Sequence, residues 1–137
     1  MRCYVDSSAI AKLAVTERES PALRNFLKKS TLRLTSLISE VEVRRATIRR
    51  GPNYEIAARR VLSTFSAVDV SRSIVSQAAT ASPPHLRSLD AIHLATALAV
   101  MTELDWFVTY DMKLGQAAEA AGLMVAHPGV QMLRKHP

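Results

Sequence analysis

The sequence predicts an α/β fold, a three-layer sandwich in which a mostly parallel central sheet is covered by helices. Three observations predict it. Short apolar runs alternate along the chain with longer stretches whose apolar residues recur at helical spacing. Hydrophobic residues make up 48% of the 137 residues, enough for one domain with a real core. No repeat, low-complexity segment or linker interrupts them, so residues 1–137 read as a single domain. Strands that alternate with helices in this way pair in parallel, with the helices covering the sheet.

Taken in order, Arg2-Cys3-Tyr4-Val5 is a short strand ending at Asp6, and Ser7 and Ser8 turn into a helix through Ala9, Ile10, Leu13 and Ala14. A second helix runs from about Ser20 to Lys29, with Leu23, Phe26 and Leu27 inward. Thr31-Leu32-Arg33-Leu34 is the second strand. Thr35 or Ser36 then starts a long helix to about Arg50, closed by Gly51-Pro52. Another helix spans about Tyr54 to Phe65, and Ala67-Val68-Asp69-Val70 is a brief strand. A helix from about Arg72 to Ala81 stops at Pro83-Pro84. Ser88 is placed to cap the next helix, with Asp90 in its first turn and Ile92, Ala95, Leu98 and Ala99 as its apolar face. Trp106-Phe107-Val108-Thr109 is a fourth strand and Asp111 to Ala121 a helix capped by Gly122. Leu123-Met124-Val125-Ala126 is the last strand, followed by a loose tail.

Composition limits the function. No apolar run approaches the roughly 20 residues needed to span a bilayer. The N-terminus enters a strand without a signal peptide, so the expected location is the cytoplasm. Cys3, the sole cysteine, excludes an internal disulfide or a cysteine-rich zinc site and reads as a small buried strand residue. A net charge of +6 favours a polyanionic partner, a nucleic acid or an acidic protein segment.

Four acids far apart in sequence carry the functional argument. In parallel sheets ligands bind at the carboxyl ends of the strands. Asp6 ends the first strand, and Asp111 lies two residues beyond Thr109 at the end of the fourth. Asp90 opens the helix that feeds that fourth strand, and Glu42 lies in the helix after the second. Two unit charges about 4 Å apart repel by roughly 4 kcal/mol at an effective dielectric of 20, so clustered carboxylates need protons or cations between them. None of the 18 lysines and arginines falls in the segments beside Asp6, Asp90 and Asp111 except Lys113. Mg²⁺ or Mn²⁺ suits oxygen-only ligands and accepts one or two carboxylates with water and substrate phosphate. An acidic metal pocket on a basic protein is expected of a nuclease, in which arginines hold the backbone and the metal supplies the nucleophile.

Here a specific resemblance enters. Val5-Asp6-Ser7-Ser8-Ala9, Glu42-Val43-Arg44-Arg45-Ala46, Leu89-Asp90-Ala91-Ile92-His93-Leu94-Ala95-Thr96-Ala97 and Val108-Thr109-Tyr110-Asp111 resemble the PIN-domain nucleases. More closely, they are similar to the VapC toxins of bacterial type II toxin–antitoxin pairs. The likeness covers nearly the whole chain in the right order, and the run around Asp90 is its most specific part. It implies a PIN-like sandwich and Mg²⁺-dependent endonucleolytic cleavage of RNA. It also implies Asp6 and Asp90 as main metal ligands, with Asp111 completing the metal or water shell and Glu42 helping to hold the ion or acting as base. Self-association as a homodimer and inhibition by a VapB-like antitoxin follow from the same resemblance.

Other residues have plainer readings beside functional ones. Ser7, Ser8 and Thr109 suit hydrogen bonds to a metal-bound water, and equally caps and turns. His93, one turn beyond Asp90, reads first as a packed helix histidine, because nothing at metal-ligand spacing surrounds it in the sequence. Arg44, Arg45, Arg49, Arg50, Arg59 and Arg60 form the densest basic cluster, either a solvated face or a contact for RNA or partner. Trp106 reads as strand core, since only 5% of the chain is aromatic and no exposed aromatic stripe appears. Rival functions are an aspartate-based phosphotransfer enzyme using Asp6, a non-catalytic RNA- or protein-binding module, and a degenerate nuclease kept for interaction. The first wants a second acid two residues on, where Ser8 stands, and the second leaves the acids unexplained. Glu40 and Glu42 compete for the place of the second acid. Successive helical residues turn by about 100°, so the two point roughly 200° apart. Ile38 and Ala46 flank Glu42 and direct it to the protein body, whereas Ser36, Arg44 and Thr47 surround Glu40 with a polar face.

Overall fold

The computed structural model describes residues 1–130, and the expected tail beyond residue 130 lies outside them. Five strands and seven α-helices alternate: β1 (Arg2–Val5), α1 (Ser7–Ala14), α2 (Ser20–Leu27), β2 (Leu32–Ser36), α3 (Ile38–Ile48), α4 (Pro52–Leu62), β3 (Ser66–Val68), α5 (Arg72–Ala79), α6 (Ser88–Ala99), β4 (Trp106–Val108), α7 (Met112–Ala120) and β5 (Val125–Ala126). The sheet order is β3-β2-β1-β4-β5 and every pairing is parallel. The mostly parallel sheet expected from the alternation is therefore wholly parallel.

Side-chain alternation along β1 builds the three layers. Cys3 and Val5 face one way and pack with Ile10, Leu23, Leu27 and Val43. Tyr4 faces the other way and packs with Leu94, Ala97, Phe107 and Leu114. One face of the sheet thus carries α1 to α4, and the other carries α6 and α7. Cys3 is buried as expected, and burial pushes its thiol up to about 11. Trp106 is only half-buried and meets Phe26 edge to face at 5.9 Å.

Several boundaries differ from the sequence expectation, each for a local reason. Thr35 and Ser36 finish β2 instead of starting α3, because they pair with Ala67 and Val68 of β3. Leu37 N–H then donates to the Val68 carbonyl at 2.9 Å, and α3 begins at Ile38. Helix α4 opens at Pro52, two residues early, since proline at the first turn lacks only an N–H that would be unpaired there. It ends at Leu62, and β3 starts at Ser66. The last strand shrinks to Val125–Ala126, the two residues that pair with Phe107 and Val108. Helix α6 is buried along Ala91 and from His93 to Ala97, while Ala99 is exposed. The apolar face expected at Ile92, Ala95, Leu98 and Ala99 was too narrow, because α6 packs on α5, α7 and β2 at once.

Gly122 does what the sequence asked of it. Its φ is +98°, its N–H donates to the Glu119 carbonyl at 3.0 Å, and Leu123 N–H donates to the Ala118 carbonyl at 3.0 Å. These two bonds close α7 as a Schellman end. A Cβ on Gly122 would meet only Met101 Cε, at an ordinary 3.8 Å, so the conformation and not space demands glycine. Gly122→Ala should therefore destabilise the fold by about 1–2 kcal/mol, the cost of a left-handed L-residue. Urea unfolding followed by circular dichroism measures it.

Candidate active site

The parallel register sets Asp6 beside the end of β4. Cys3, Tyr4 and Val5 pair with Trp106, Phe107 and Val108, and Asp6 N–H donates to the Val108 carbonyl at 3.1 Å. Extended backbone at Asp6 lets its side chain cap α1. Oδ1 accepts from Ala9 N–H at 3.0 Å and from the Ser8 hydroxyl at 2.7 Å, and Oδ2 accepts from the Thr109 hydroxyl at 2.5 Å. Both hydroxyls accept in turn, Ser8 from Tyr110 N–H at 3.1 Å and Thr109 from Asp111 N–H at 3.0 Å. Asp111 caps α7 by accepting from Leu114 N–H at 3.0 Å. With the Asp6 residue only 2% exposed, burial pushes its carboxyl above the usual range, against the His93 ring and these hydrogen bonds. Ser8 and Thr109 thus spend their protons on Asp6.

Glu42 reaches the same region from α3. Its Oε1 accepts from the Ser7 hydroxyl at 3.0 Å and lies 2.7 Å from His93 Nε2. The other ring nitrogen, Nδ1, lies 2.7 Å from the Tyr4 hydroxyl. Burial pushes the Tyr4 hydroxyl well above its usual pKa, so it stays protonated beside Nδ1. The ionised Glu42 carboxylate can only accept, so Nε2 donates to it. Burial works to raise the Glu42 carboxyl, but hydrogen bonds from His93 and Ser7 and the charge of the ring outweigh it and hold the carboxyl low. Glu40 points away, half exposed, 4.0 Å from Arg44. The helical rotation inferred from the neighbours of Glu42 is the one observed.

Asp90 is the third residue of α6, and its partner at the helix start differs from expectation. Ser88 lies inside the helix, the N-cap is Arg87, and no side chain caps it. Extended backbone at Arg87 lets its own carbonyl accept from Ala91 N–H at 2.8 Å, so the helix starts without the serine. Asp90 is half-buried, and its carboxyl is raised by burial first, then by the charge of Asp111, with Asp6 adding to it. One groove of about 430 Å³ contains Asp6, Glu42, Asp90 and Asp111 together with Ser7 and Arg87.

The residues fit a hard, water-rich cation and not a preformed cage. Among the described residues, no three His, Cys, Asp or Glu side chains stand at coordination spacing. Oδ1 of Asp6 already accepts two hydrogen bonds, but Oδ2 accepts one and retains a lone pair. The donor set is all oxygen, and burial together with repulsion from Asp111 and Asp6 raises Asp90. Mg²⁺ keeps several waters and needs only one or two carboxylates, which such a groove can offer.

Tyr4 and Arg87 are missed by sequence reasoning as parts of this groove or its support, and a lean of His93 toward the site ranks second there, although signals existed. Strand alternation puts Tyr4 on the face of Asp6, and helical spacing puts His93 beside Asp90. His93 is packed, 1% exposed, as its plainer reading held. What the sequence concealed is that its partner is Glu42, 51 residues away.

The repulsion has a stability consequence with a definite sign. Asp90 has a folded pKa above its unfolded value, so the folded state binds the proton more tightly. This contribution therefore favours the fold at acid pH and is lost as pH rises through the folded pKa. Asp90→Asn, which removes the charge and keeps the shape, should raise the thermal midpoint at pH 7. The gain should shrink as pH falls through the carboxylate range, and melts across that range measure it.

Comparison with known proteins agrees with this geometry. The PIN domain family model matches residues 3–120. Ribonuclease VapC46 of Mycobacterium tuberculosis is 41% identical over 125 residues, covering 91% of this chain and 96% of that protein. Ribonuclease VapC35 of the same species is 43% identical over 130 residues, covering 92% and 96%. A toxin–antitoxin complex from Klebsiella pneumoniae contains a chain of the same fold, with a TM-score of 0.68 and 25% identity over 92% of this chain and 97% of that one. The parallel sheet, the acids at its carboxyl edge and these end-to-end matches place the chain in the PIN-domain family, within its VapC branch.

Proposed function

We propose that the chain is a single-domain, Mg²⁺- or Mn²⁺-dependent endoribonuclease that serves as the toxin of a type II toxin–antitoxin pair in the cytoplasm. The observation that carries this reading is the convergence of Asp6, Glu42, Asp90 and Asp111, from four separate segments, in one groove of a chain with net charge +6. Relatives named as ribonucleases, matched along almost their whole length, support it. Asp6 and Asp90 would hold the ion, with Asp111 in its water shell. The bound cation would polarise a phosphodiester and lower the pKa of water.

The chain's own residues set the stage for that chemistry. Thr109 and Ser8 orient the Asp6 carboxylate, and the shared Thr109 hydroxyl couples it to the turn that carries Asp111. Glu42 is kept ionised by His93 and Ser7, so it contributes negative charge more readily than it accepts a proton. Arg87 is the cation on the wall of the same groove, placed for the RNA backbone. Asp6 is poorly suited to be a phosphoryl acceptor, because it is buried and three donors already hold its oxygens. The Klebsiella complex supports a VapB-like antitoxin as partner. An antitoxin arginine entering the groove would bind the carboxylates bidentately and compete with the cation. The family resemblance adds a homodimer to this reading.

Cleavage of RNA by the purified chain should require Mg²⁺ or Mn²⁺ and stop in excess chelator. Asp90→Asn should abolish cleavage while its circular dichroism spectrum stays native. Undiminished cleavage in chelator overturns the proposal.

Glu42→Gln should lower kcat by about 100-fold, in the range for losing one preorganised polar group. Glu40→Gln should change it less than about twofold, as expected for an exposed surface pair. Matched kinetics on the two variants decide the ranking.

A further inference from the structure

Beside the acidic groove lies a larger cavity of about 580 Å³, which shares Arg87, Asp90 and Asp111 with it. We infer that this cavity binds one unpaired nucleotide of the RNA, the neighbour of the phosphate being cut. The inference rests on the ribonuclease reading and adds the residues that hold and read the nucleotide beside the cut.

The walls of the two spaces differ in kind. The smaller one gathers four carboxylates, whereas the larger one adds Lys113, His85 and Gln116 together with apolar Leu86 and Ala117. A nucleotide needs cations for its phosphate, an apolar surface for the face of its base and an amide for the base edge. The cavity supplies each. Its volume lies within the roughly 300–1,000 Å³ of ligand pockets, and it borders the acidic groove at Arg87, Asp90 and Asp111. Lys113 and Gln116 sit three apart on α7, directly after Asp111, so one helical turn presents the cation and the amide on the same side.

The alternative RNA contact, the arginine cluster on α3 and α4, is partly occupied within the chain. Arg44 and Arg59 both pair with Glu55, at 3.4 and 2.9 Å. Arg87 and Lys113 take part in none of the ion pairs among the described residues. The nucleotide must be unpaired, because a base inside an A-form duplex has its faces stacked and its pairing edge taken. The His85 ring on the cavity wall offers a stacking face for the base beside Leu86 and Ala117, and Gln116 tells the base apart at its edge.

The test uses the full chain, Mg²⁺ and an RNA hairpin cut in its loop, compared with the same sequence closed into a duplex. Pairing the site should abolish cleavage. Lys113→Ala should raise KM by about tenfold with kcat within about twofold, and should reduce the salt slope of binding by about 0.7, the value for one phosphate contact on a single strand. Gln116→Ala should flatten the base preference at one position beside the cut. Ala120→Trp, which adds bulk from an exposed position of α7, should reproduce the rise in KM. Wild-type KM and base preference in all three variants overturn the inference. Fluorescence anisotropy of a short single-stranded RNA in Ca²⁺ separates the two readings. If the wild type cleaves nothing, the ribonuclease proposal fails, while binding weakened about tenfold by Lys113→Ala still supports the subsite and unchanged binding overturns it.

Discussion

The buried carboxylate of Asp6 is the constraint around which the fold is arranged. It stands between β1 and β4, where the helices that follow the two strands leave toward opposite faces of the sheet. Helix α1 packs with Val5 and α7 with Phe107, so the carboxyl ends of β1 and β4 open a crevice between them. A charge in that position costs several kcal/mol unless donors meet it. Ala9 N–H, Ser8 and Thr109 meet it, and each comes from an element whose position the β1–β4 register fixes. The same bonds that make the aspartate tolerable also tie together the turns carrying the other acids.

Around that anchor the remaining acids are held in different ways. Asp111 is fixed by its cap on α7, and Glu42 by Ser7 and by a ring that Tyr4 holds from β1. Tyr4 is itself stacked on Phe107, ring centroids 5.3 Å apart, so the chain of bonds to Glu42 begins in rigid core. Asp90 faces repulsion from Asp111 and Asp6. A groove with this inequality stores unfavourable charge that a bound cation or guanidinium would relieve, a common exchange of stability for function. His93 links the two halves of the arrangement, since one helix carries both the ring that steadies Glu42 and the loosely held Asp90.

Net charge and local charge also have to be separated. The chain is basic overall, yet its densest arginine cluster is partly neutralised by Glu55, and the groove itself is acidic. The cations that border the acids are few, Arg87 and Lys113 among them. A positive surface draws a polyanion toward the molecule, whereas the handful of cations at the groove would decide how the strand lies.

The sequence by itself determined the order of elements, the parallel sheet and the four acids, because all three are written in local pattern. Periodicity names strands and helices, and a strand end followed by aspartate is legible without any partner. The rotation of α3 followed from Ile38 and Ala46 beside Glu42, since helical geometry is local. Two of the polar neighbours expected to mark a solvent face at Glu40, Ser36 and Thr47, are buried instead. The element ends were less legible. Thr35 and Ser36 join β2 only because β3 is there to pair with them, and Ser88 yields the cap of α6 to Arg87, whose backbone is extended at the helix start. Only the tertiary structure decided what holds each acid. The bond from His93 to Glu42 spans 51 residues, and that from Thr109 to Asp6 spans 103. A hydrogen bond requires two groups within about 3 Å, and spacing along a chain carries no such distance once helices and crossovers intervene.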